Sequence, residues 1–368
     1  MARIELDLAH AYKPNPQRDE DYALLPLKMS FNDGGAYALL GPSGCGKTTL
    51  LNIVSGLVKP SQGSVKFDGV EVTARTPQQR NIAQVFQFPV IYDTMTVAEN
   101  LAFPLRNRGV PADKIRQRVG KIAEMLEMSG QLGMRAAGLA ADAKQKISLG
   151  RGLVREDVSA VLFDEPLTVI DPHLKWQLRR KLKQIHNELK LTLIYVTHDQ
   201  VEALTFAEEV VVMTRGRAVQ IGSASELFER PQHTFVGHFI GSPGMNFLPA
   251  HWSGSGLSVA GQAVVSGGAA LQVAGATLLG VRPEYVTLAA PNQSGAVPAV
   301  VTQAQDIGTY WLITARAGAG ATGSVIRARL SPEQAIPRVG DAVWLAVSGT
   351  HTCFYKDEQL ISLEVTTP

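Results

Sequence analysis

Short apolar runs alternate with amphipathic stretches through the first two thirds of the chain. Five runs have the length and composition of buried strands, whereas the segments between them repeat apolar residues every three or four positions, as a helix on a sheet does. This alternation predicts an α/β fold with a largely parallel sheet covered by helices, and with ligands at the carboxyl ends of the strands. The predicted strands are residues 36–40, 81–87, 159–164, 191–197 and 209–214, and the clearest helical patterns lie at 115–126 and 174–189.

The pattern changes near residue 250. Beyond it the long helical periodicity ends, charged residues become sparse, and Gly, Ala, Val and Thr dominate. Short strands at regular spacing with Gly or Pro between them predict a small all-β barrel. We therefore expect an α/β domain over residues 1–240 and a β-barrel domain over 241–368, with linker-type turn residues at 241–250. The predicted strands of the second domain lie within 296–308, 310–317, 324–330 and 342–349.

Composition narrows the class of protein. The chain has 368 residues, with 35 basic and 33 acidic side chains and a net charge of +2, so no polyanion-binding surface and no nucleic-acid partner are expected. Two cysteines and the lack of a His or Cys cluster with metal-ligand spacing favour a reducing cytoplasm. The N-terminus lacks the apolar core of a signal peptide, and the uncharged tract 264–281 is too rich in small and polar residues for a membrane span. A membrane role would be peripheral, through a partner.

The stretch GPSGCGKT follows the predicted strand 36–40 and precedes an apolar helical run. It matches the phosphate-loop pattern G-x-x-x-x-G-K-[ST] in the strand-to-helix context that the pattern requires. Backbone N–H groups converge on phosphate oxygens there, while a lysine spans the β- and γ-phosphates and a hydroxyl ligates Mg²⁺. A nucleotide, ATP, with Mg²⁺ is the expected cofactor. The residues are Gly41, Pro42, Ser43, Gly44, Cys45, Gly46, Lys47 and Thr48.

Three further strand ends carry polar side chains suited to hydrolysis. Asp164 and Glu165 end the stretch AVLFDE, where a carboxylate can hold magnesium and its neighbour can act as general base towards water. His198 ends LIYVTH, and its imidazole is suited to hydrogen-bond a γ-phosphate. Gln87 ends NIAQVFQ, with an amide able to reach a metal-bound water. The following FPVIYDTMTV is too apolar for a solvated loop and is expected to be a docking surface.

These residues resemble those of the ABC ATPases, and the chain looks like the ATP-binding subunit of a bacterial carbohydrate importer. The resemblance covers nearly the whole length. The matching stretches are GPSGCGKTTLL, VFQ, LGRGLVRE, LFDEPLTVIDPHL, YVTHDQVEAL, FIGSPGMNFLP and LGVRPEYV. The last two, FIGSPGMNFLP and LGVRPEYV, are particular to the subgroup that imports sugars, polyols and glycerol phosphate and carries a C-terminal OB-like domain.

The resemblance implies a phosphate-loop NTPase domain with a helical subdomain at about residues 90–155, followed by the OB-like domain. It implies a head-to-tail dimer of ATPase domains on the cytoplasmic face of the bacterial inner membrane, with two permease subunits and a periplasmic binding protein. It also gives roles residue by residue. Tyr12 stacks on adenine, with Tyr22 as the nearby alternative, and Gly41 to Thr49 form the phosphate loop. Gln87 senses the metal and the permease subunit, and Asp164 binds Mg²⁺. Glu165 is the general base, His198 is the switch histidine, and Asp171 reaches across the dimer.

One stretch departs from the family. The Leu-Ser-Gly-Gly-Gln signature, which binds the γ-phosphate held by the opposite subunit, falls here on Leu139, Ala140, Ala141, Asp142 and Ala143. The serine hydroxyl is missing, Cβ atoms stand where backbone should approach the ligand, and Asp142 sets a carboxylate against phosphate. Losing one charge-assisted hydrogen bond costs roughly 1.5–3 kcal/mol. We expect a heterodimer in which a second, non-identical ATPase subunit supplies a normal signature to this chain's loop.

Four other interpretations remain open from the sequence. A homodimer with two weak sites is the nearest. A soluble ABC ATPase acting on nucleic acid or ribosomes lacks a basic face here, and a nucleotide-binding regulator is disfavoured by Glu165 and His198. An exporter is disfavoured by Gln87 and the C-terminal domain. Within the sugar and polyol class, an importer with paired, unlike ATPase subunits for glycerol is the preferred expectation.

Overall fold

The computed structural model describes residues 2–168, 170–253, 256–266, 273–318 and 323–361. It divides into two compact units, Met1–Ala224 and Ser225–Pro368. The sequence analysis predicts a boundary between the α/β domain and the β-barrel domain at residues 240/241, and that boundary remains a prediction.

The first unit contains a six-stranded, mostly parallel sheet and a smaller antiparallel sheet. Its strands are β1 Ile4–His10, β2 Leu24–Phe31, β3 Ala36–Leu40, β4 Gln62–Phe67, β5 Val70–Glu71, β6 Ile82–Val85, β7 Ala160–Asp164, β8 Leu193–Thr197, β9 Glu209–Thr214 and β10 Arg217–Gly222. The larger sheet has the order β10-β9-β3-β8-β7-β6, in which β3 pairs in parallel with β8 and β9, β7 pairs in parallel with β6 and β8, and β10 is antiparallel to β9. The antiparallel sheet has the order β2-β1-β4-β5.

Helices cover both faces of the six-stranded sheet because successive strand residues point to opposite sides. The helices are α1 Lys47–Ser55, α2 Pro77–Arg80, α3 Val97–Arg106, α4 Ala112–Met125, α5 Ala141–Leu153, α6 Pro172–Leu189 and α7 Gln200–Phe206. Leu162 and Ile194 face a core shared with α1 and the antiparallel sheet, whereas Phe163 and Tyr195 face a core shared with α3 to α6. All four side chains are buried.

The predicted α/β fold with a parallel sheet is confirmed in this unit. Three strands, β6, β7 and β8, are shorter than predicted. Only β6 is shortened at its carboxyl end, since its pairing with β7 ends at Val85 and Phe163, so Gln87 lies two residues beyond its strand. The carboxyl ends of β3, β7 and β8 lie at the same edge of the sheet, and there the phosphate loop, Asp164, Glu165 and His198 are found.

The second unit begins with two short helices and continues as antiparallel β-structure. The elements are α8 Ala224–Glu229, α9 Thr234–Phe239, β11 Asn246–Trp252, β12 Gly256–Val259, β13 Gln262–Ser266, β14 Leu278–Val281, β15 Thr287–Ala289, β16 Ala296–Asp306, β17 Trp311–Ala317, β18 Ser324–Leu330, β19 Ala342–Ala346, β20 Cys353–Lys356 and β21 Gln359–Leu360. The sheets have the orders β13-β12-β11-β14-β20-β21 and β15-β19-β16-β17-β18, and the all-β prediction is confirmed. Apolar side chains of both sheets, including Leu248, Leu279, Ile313 and Leu345, share one core.

Across the described ranges, no helix combines the length and apolar character that crossing a membrane requires. Part of the tract 264–281 forms β13 and β14. Residues 267–272 of that tract lie outside the described residues.

Candidate nucleotide-binding site

The loop between β3 and α1 has a backbone that only glycine fits at two positions. A Cβ on Gly41 would lie 2.2 Å from the Met213 carbonyl oxygen, and one on Gly46 would lie 2.6 Å from that of Ala23. Gly46 also has a φ of 103°, in the left-handed region that side chains disfavour. The loop is thereby wrapped tightly into the start of α1, where free N–H groups favour an anion.

The Lys47 ammonium group is folded back into this loop. Its Nζ donates to the carbonyl oxygens of Gly41 at 2.8 Å and Pro42 at 3.0 Å, and the Cys45 Sγ lies 3.9 Å away. Lys47 is only 5% exposed, so its charge is held among loop oxygens rather than in water. Burial raises the pKa of the Cys45 thiol, which keeps it neutral beside the lysine.

Thr48, in the first turn of α1, contacts Asp164 at the end of β7. The Thr48 hydroxyl donates to the Asp164 carboxylate at 3.2 Å, although the residues are 116 positions apart. Burial raises the pKa of Asp164, and the Glu165 charge adds to this, while the Thr48 hydrogen bond and Lys47 lower it. A hydroxyl and a partly desolvated carboxylate at this spacing form an oxygen-rich pair of the type that divalent cations prefer.

Glu165 is held in an unusual backbone conformation directly after β7. Its φ is 47°, in the left-handed region, and its N–H donates to the Val196 carbonyl at 3.0 Å. One oxygen of its carboxylate, Oε2, accepts from the Thr168 hydroxyl at 3.3 Å and lies 3.2 Å from the His198 Nδ1. The structure thus brings the predicted base and the predicted switch into contact at neighbouring strand ends.

Tyr12 lies at the edge of the phosphate loop. Its hydroxyl is 3.2 Å from the Thr49 Oγ1, and its ring packs edge-on against His10 with centroids 4.6 Å apart. The ring is 66% exposed, so a face is open to solvent beside the loop. Tyr22, by contrast, is half-buried in the segment leading to β2.

Gln87 is not joined to these residues by any hydrogen bond in the described part of the chain. It follows the edge strand β6, beside β7. The apolar segment around it is exposed at Phe86, Phe88 and Val90. Arg151 of α5 organises that surface, since its Nη1 donates to the Val90 carbonyl at 2.8 Å and its guanidinium lies 4.7 Å from the centre of the Tyr92 ring.

The departing signature stretch forms the start of α5. Ala140 is the N-cap and makes no side-chain capping bond, Ala141 is the first helical residue, and Asp142 stands in the first turn. Ala141 is exposed, whereas Ala143 is buried and Leu139 packs against the helical core. The N–H groups of this helix end therefore lack the hydroxyl partner that a serine would supply.

Asp171 caps a different helix. Its Oδ1 accepts from the His173 N–H at 2.9 Å at the start of α6. The predicted reach across a dimer stays a prediction.

Two functional candidates escaped the sequence patterns. Thr168 contacts the Glu165 carboxylate, and Gln145 is fully buried on α5 and donates to the Pro166 carbonyl at 2.6 Å. The sequence pattern gave no signal for Gln145 because Lys144 and Lys146 flank it and suggest a solvated helix face.

Family models match two parts of the chain. Residues 24–168 match a model described as ABC transporter, and residues 279–354 match a model described as TOBE domain. The first match contains the phosphate loop, Asp164 and Glu165, and the second lies within the all-β unit.

Similar proteins extend the match over most of the chain. The sn-glycerol-3-phosphate import ATP-binding protein UgpC of Escherichia coli O6:K15:H31 (strain 536 / UPEC) is 39% identical over 87% of this chain and 89% of its own length, and UgpC of Pectobacterium atrosepticum is 40% identical over the same shares. Among solved structures, cbiO1 from Clostridium perfringens, described as part of the ABC transporter complex cbiONQ, superposes with a TM-score of 0.56 at 26% identity, over 62% of this chain and 90% of that one. The chain therefore belongs to the ATP-binding proteins of ABC transporters, with a C-terminal TOBE domain, and it binds and hydrolyses ATP to power import.

Proposed function

We propose that this chain powers import of a small polyol or its phosphate, with glycerol and sn-glycerol 3-phosphate as the first substrates to test. The transported class rests on the relatives, which are sn-glycerol-3-phosphate import ATP-binding proteins. The chemistry rests on one observation, the meeting of Thr48 with Asp164 and of Glu165 with His198 beside the phosphate loop.

Lys47 binds the β- and γ-phosphates in this proposal. Its ammonium already lies in the loop on carbonyl oxygens, and phosphate oxygens replace those weaker partners when ATP enters. The N–H groups of residues 41–49 surround the same phosphates. Tyr12, exposed beside Thr49, provides the ring on which adenine stacks.

Glu165 orients and polarises the attacking water. Its left-handed backbone directs the carboxylate towards His198 and Thr168, which hold it at 3.2 and 3.3 Å. His198 hydrogen-bonds the γ-phosphate and the water from the neighbouring strand end, so that the two side chains bracket the reacting atoms. Gln87 approaches from the edge strand.

Thr48 and Asp164 fit a magnesium ion. The pair offers a hydroxyl and a carboxylate as oxygen ligands. Burial raises the pKa of the carboxylate because its negative charge is poorly solvated, and a bound cation would stabilise that charge. When bound, Mg²⁺ neutralises charge on the β- and γ-phosphates.

The exposed apolar segment with Phe86, Phe88 and Val90 is the proposed docking surface for a permease subunit. Arg151 and Tyr92 form its floor. Gln87 lies within this segment, so docking and catalysis share one stretch of chain. The subunit would act on the cytoplasmic face of the inner membrane, bound to two permease subunits. A periplasmic binding protein would deliver the transported substrate to those permease subunits.

The partner ATPase subunit is proposed to be a different polypeptide. This chain's own phosphate loop, Glu165 and His198 are assembled, whereas the start of α5 lacks a hydroxyl and carries Asp142. One site then combines this chain's loop with a normal signature from the partner. The other combines the partner's loop with Ala140–Ala143 and turns over slowly.

Purification of the intact complex and one substitution test the proposal. We expect two different ATPase polypeptides, and Glu165→Gln in this chain should lower the ATPase rate of the complex at least about 100-fold, since it removes the general base of the working site. The matched control is Glu188→Gln on the exposed end of α6, with an unchanged rate. Wild-type ATPase activity of the Glu165→Gln complex would refute the assignment.

An uptake assay decides the substrate. Cells carrying the complete transporter are given labelled glycerol, sn-glycerol 3-phosphate or a disaccharide, and the Glu165→Gln strain provides the blank. Uptake of glycerol or its phosphate supports the proposed class, and uptake of the disaccharide alone contradicts it.

A further inference from the structure

Gln145 is a fully buried amide in the first half of α5. Its Nε2 donates to the Pro166 carbonyl oxygen at 2.6 Å. Pro166 follows Glu165 directly, so this hydrogen bond joins α5 to the peptide unit next to the proposed base. Ala143 of α5 and Leu167 share the same apolar core around this contact.

The rest of the amide makes the hydrogen bond costly to maintain. Gln145 Oε1 is buried and has no hydrogen-bond partner among the described residues. Turning the amide round would place an acceptor against the Pro166 carbonyl, which can only accept, so the Nε2 contact fixes the orientation. A leucine of similar volume would leave no unsatisfied oxygen on the side chain, and an amide at this position therefore points to a need for the donor.

The backbone at Glu165 needs support from its neighbours. A φ of 47° is unfavourable for a residue with a side chain and persists only where surrounding contacts hold it. On one side the Glu165 N–H is bonded to Val196 of β8, and on the other side Pro166 is bonded to Gln145. If either hydrogen bond is broken, the peptide can relax and carry the carboxylate away from His198.

We propose that Gln145 is a positioning residue for ATP hydrolysis, which holds the Pro166 peptide so that Glu165 keeps its place beside His198. The inference rests on the proposed role of Glu165 as the base. Gln145 touches neither the phosphate loop nor Tyr12 in the described contacts, so its contribution falls on the chemical step and not on ATP binding.

Two substitutions test this role in the complex assembled with its permease and ATPase partners. Gln145→Leu removes the donor with little change in volume, and kcat should fall about 10- to 100-fold while KM for ATP changes less than about twofold, because a misplacement of about 1 Å costs on that order. At about pH 9, Gln145→Glu should have the same low kcat as Gln145→Leu. At about pH 6, the kcat of Gln145→Glu should be at least about fivefold higher than that of Gln145→Leu, since burial raises the pKa of a glutamic acid and its protonated form can donate to Pro166. Gln184→Leu, on an exposed position of α6, is the matched control and should behave as wild type.

The outcomes separate this inference from the proposed function. Wild-type kcat in both variants, or a parallel loss of kcat, ATP affinity and melting temperature without acid recovery, overturns the positioning role. If Glu165→Gln leaves the complex active, the assignment of the base fails whatever Gln145 does. If Glu165→Gln abolishes activity and the Gln145 variants do not lower kcat, only the positioning role fails.

Discussion

The Thr48 hydroxyl donates a hydrogen bond to the Asp164 carboxylate at 3.2 Å, across 116 residues of chain. Thr48 lies in the first turn of α1 and Asp164 closes β7, so the contact depends on β3 and β7 ending at the same edge of the sheet. The carboxylate is held in a partly desolvated place where its charged form is disfavoured.

Replacing Asp164 by Asn should stabilise the protein in the absence of metal while abolishing metal-dependent function. The folded-state pKa of Asp164 is raised by burial, so its contribution to stability is fully present below the unfolded pKa and is lost as pH rises through the folded pKa. At about pH 7.5 with EDTA, Asp164→Asn should raise Tm by about 2–4 °C, as roughly 1 kcal/mol does in a domain of this size. Differential scanning calorimetry of the isolated chain measures the change.

The comparison variant is Asp113→Asn, which removes an exposed carboxylate paired only with Arg116 on α4 in the described part of the chain. It should shift Tm by less than about 1 °C. A lower Tm for Asp164→Asn than for wild type at about pH 7.5 would contradict the claim that burial destabilises the charged Asp164 carboxylate. A Tm difference that grows as the pH falls to about 4 would contradict it as well.

Tyr12 should supply most of the aromatic contribution to nucleotide affinity. Stacking of a base on an aromatic ring is worth about 1–3 kcal/mol, so Tyr12→Ala should raise the Kd for ATP about 5- to 100-fold, while Tyr12→Phe stays near wild type. Fluorescence titration with an N-methylanthraniloyl ATP analogue measures the affinity.

Tyr22→Ala is the control that identifies the stacking ring. Tyr22 is half-buried and offers less open surface than Tyr12. Loss of affinity in Tyr22→Ala with unchanged binding in Tyr12→Ala would assign adenine to the other tyrosine.

Restoring the signature tests the asymmetry of the ATPase pair. In the proposed heterodimer, a variant with Ala140→Ser, Ala141→Gly, Asp142→Gly and Ala143→Gln would complete the site that contains the partner's loop and leave the site of this chain's own loop unchanged. The steady-state ATPase rate of the complex should change less than about twofold. In a homodimer both sites would contain the altered stretch, and regaining even one charge-assisted hydrogen bond, worth about 1.5–3 kcal/mol, would raise the rate by about tenfold or more. Such a rise would identify the homodimer.

Arg282 should be a major source of stability in the C-terminal unit. It is 1% exposed, donates to the carbonyls of Phe228 at 2.8 Å and of Gly237 at 3.3 Å, also donates to that of Ile240, and lies 4.1 Å from the centre of the Phe228 ring. Arg282→Met leaves buried carbonyl oxygens without donors and should lower the free energy of unfolding by about 2–4 kcal/mol.

Urea denaturation followed by tryptophan fluorescence measures this change, since Trp252, Trp311 and Trp344 lie in this unit. The control is Arg338→Met on an exposed loop, with a change within about 0.5 kcal/mol. Equal unfolding curves for Arg282→Met and wild type would show that the buried guanidinium contributes no net stability.

Five strands of the six-stranded sheet and the residues at their ends were predictable because each depends on a local pattern, whereas β10 and the antiparallel sheet β2-β1-β4-β5 were not predicted. Ala36–Leu40 and Glu209–Thr214 coincide with predicted strands, and the phosphate loop follows its strand as its pattern requires. Other features depend on distant neighbours. Asp171 forms an N-cap, and β6 ends before Gln87 because its pairing with β7 stops at Val85 and Phe163.

The amino-acid sequence by itself determined the two-part fold class, the phosphate loop and the acidic strand end, and its resemblance to the ABC ATPases showed that Ala140–Asp142 stand where the family has a serine and two glycines. These are statements about residue type and spacing, which local chemistry fixes. Only the tertiary structure decided that Gln145, set between two lysines, turns inward to hold Pro166, and that Glu165 meets His198. The direction of a helix face and the meeting of strand ends are set by packing across the whole sheet, and no local window of sequence contains that information.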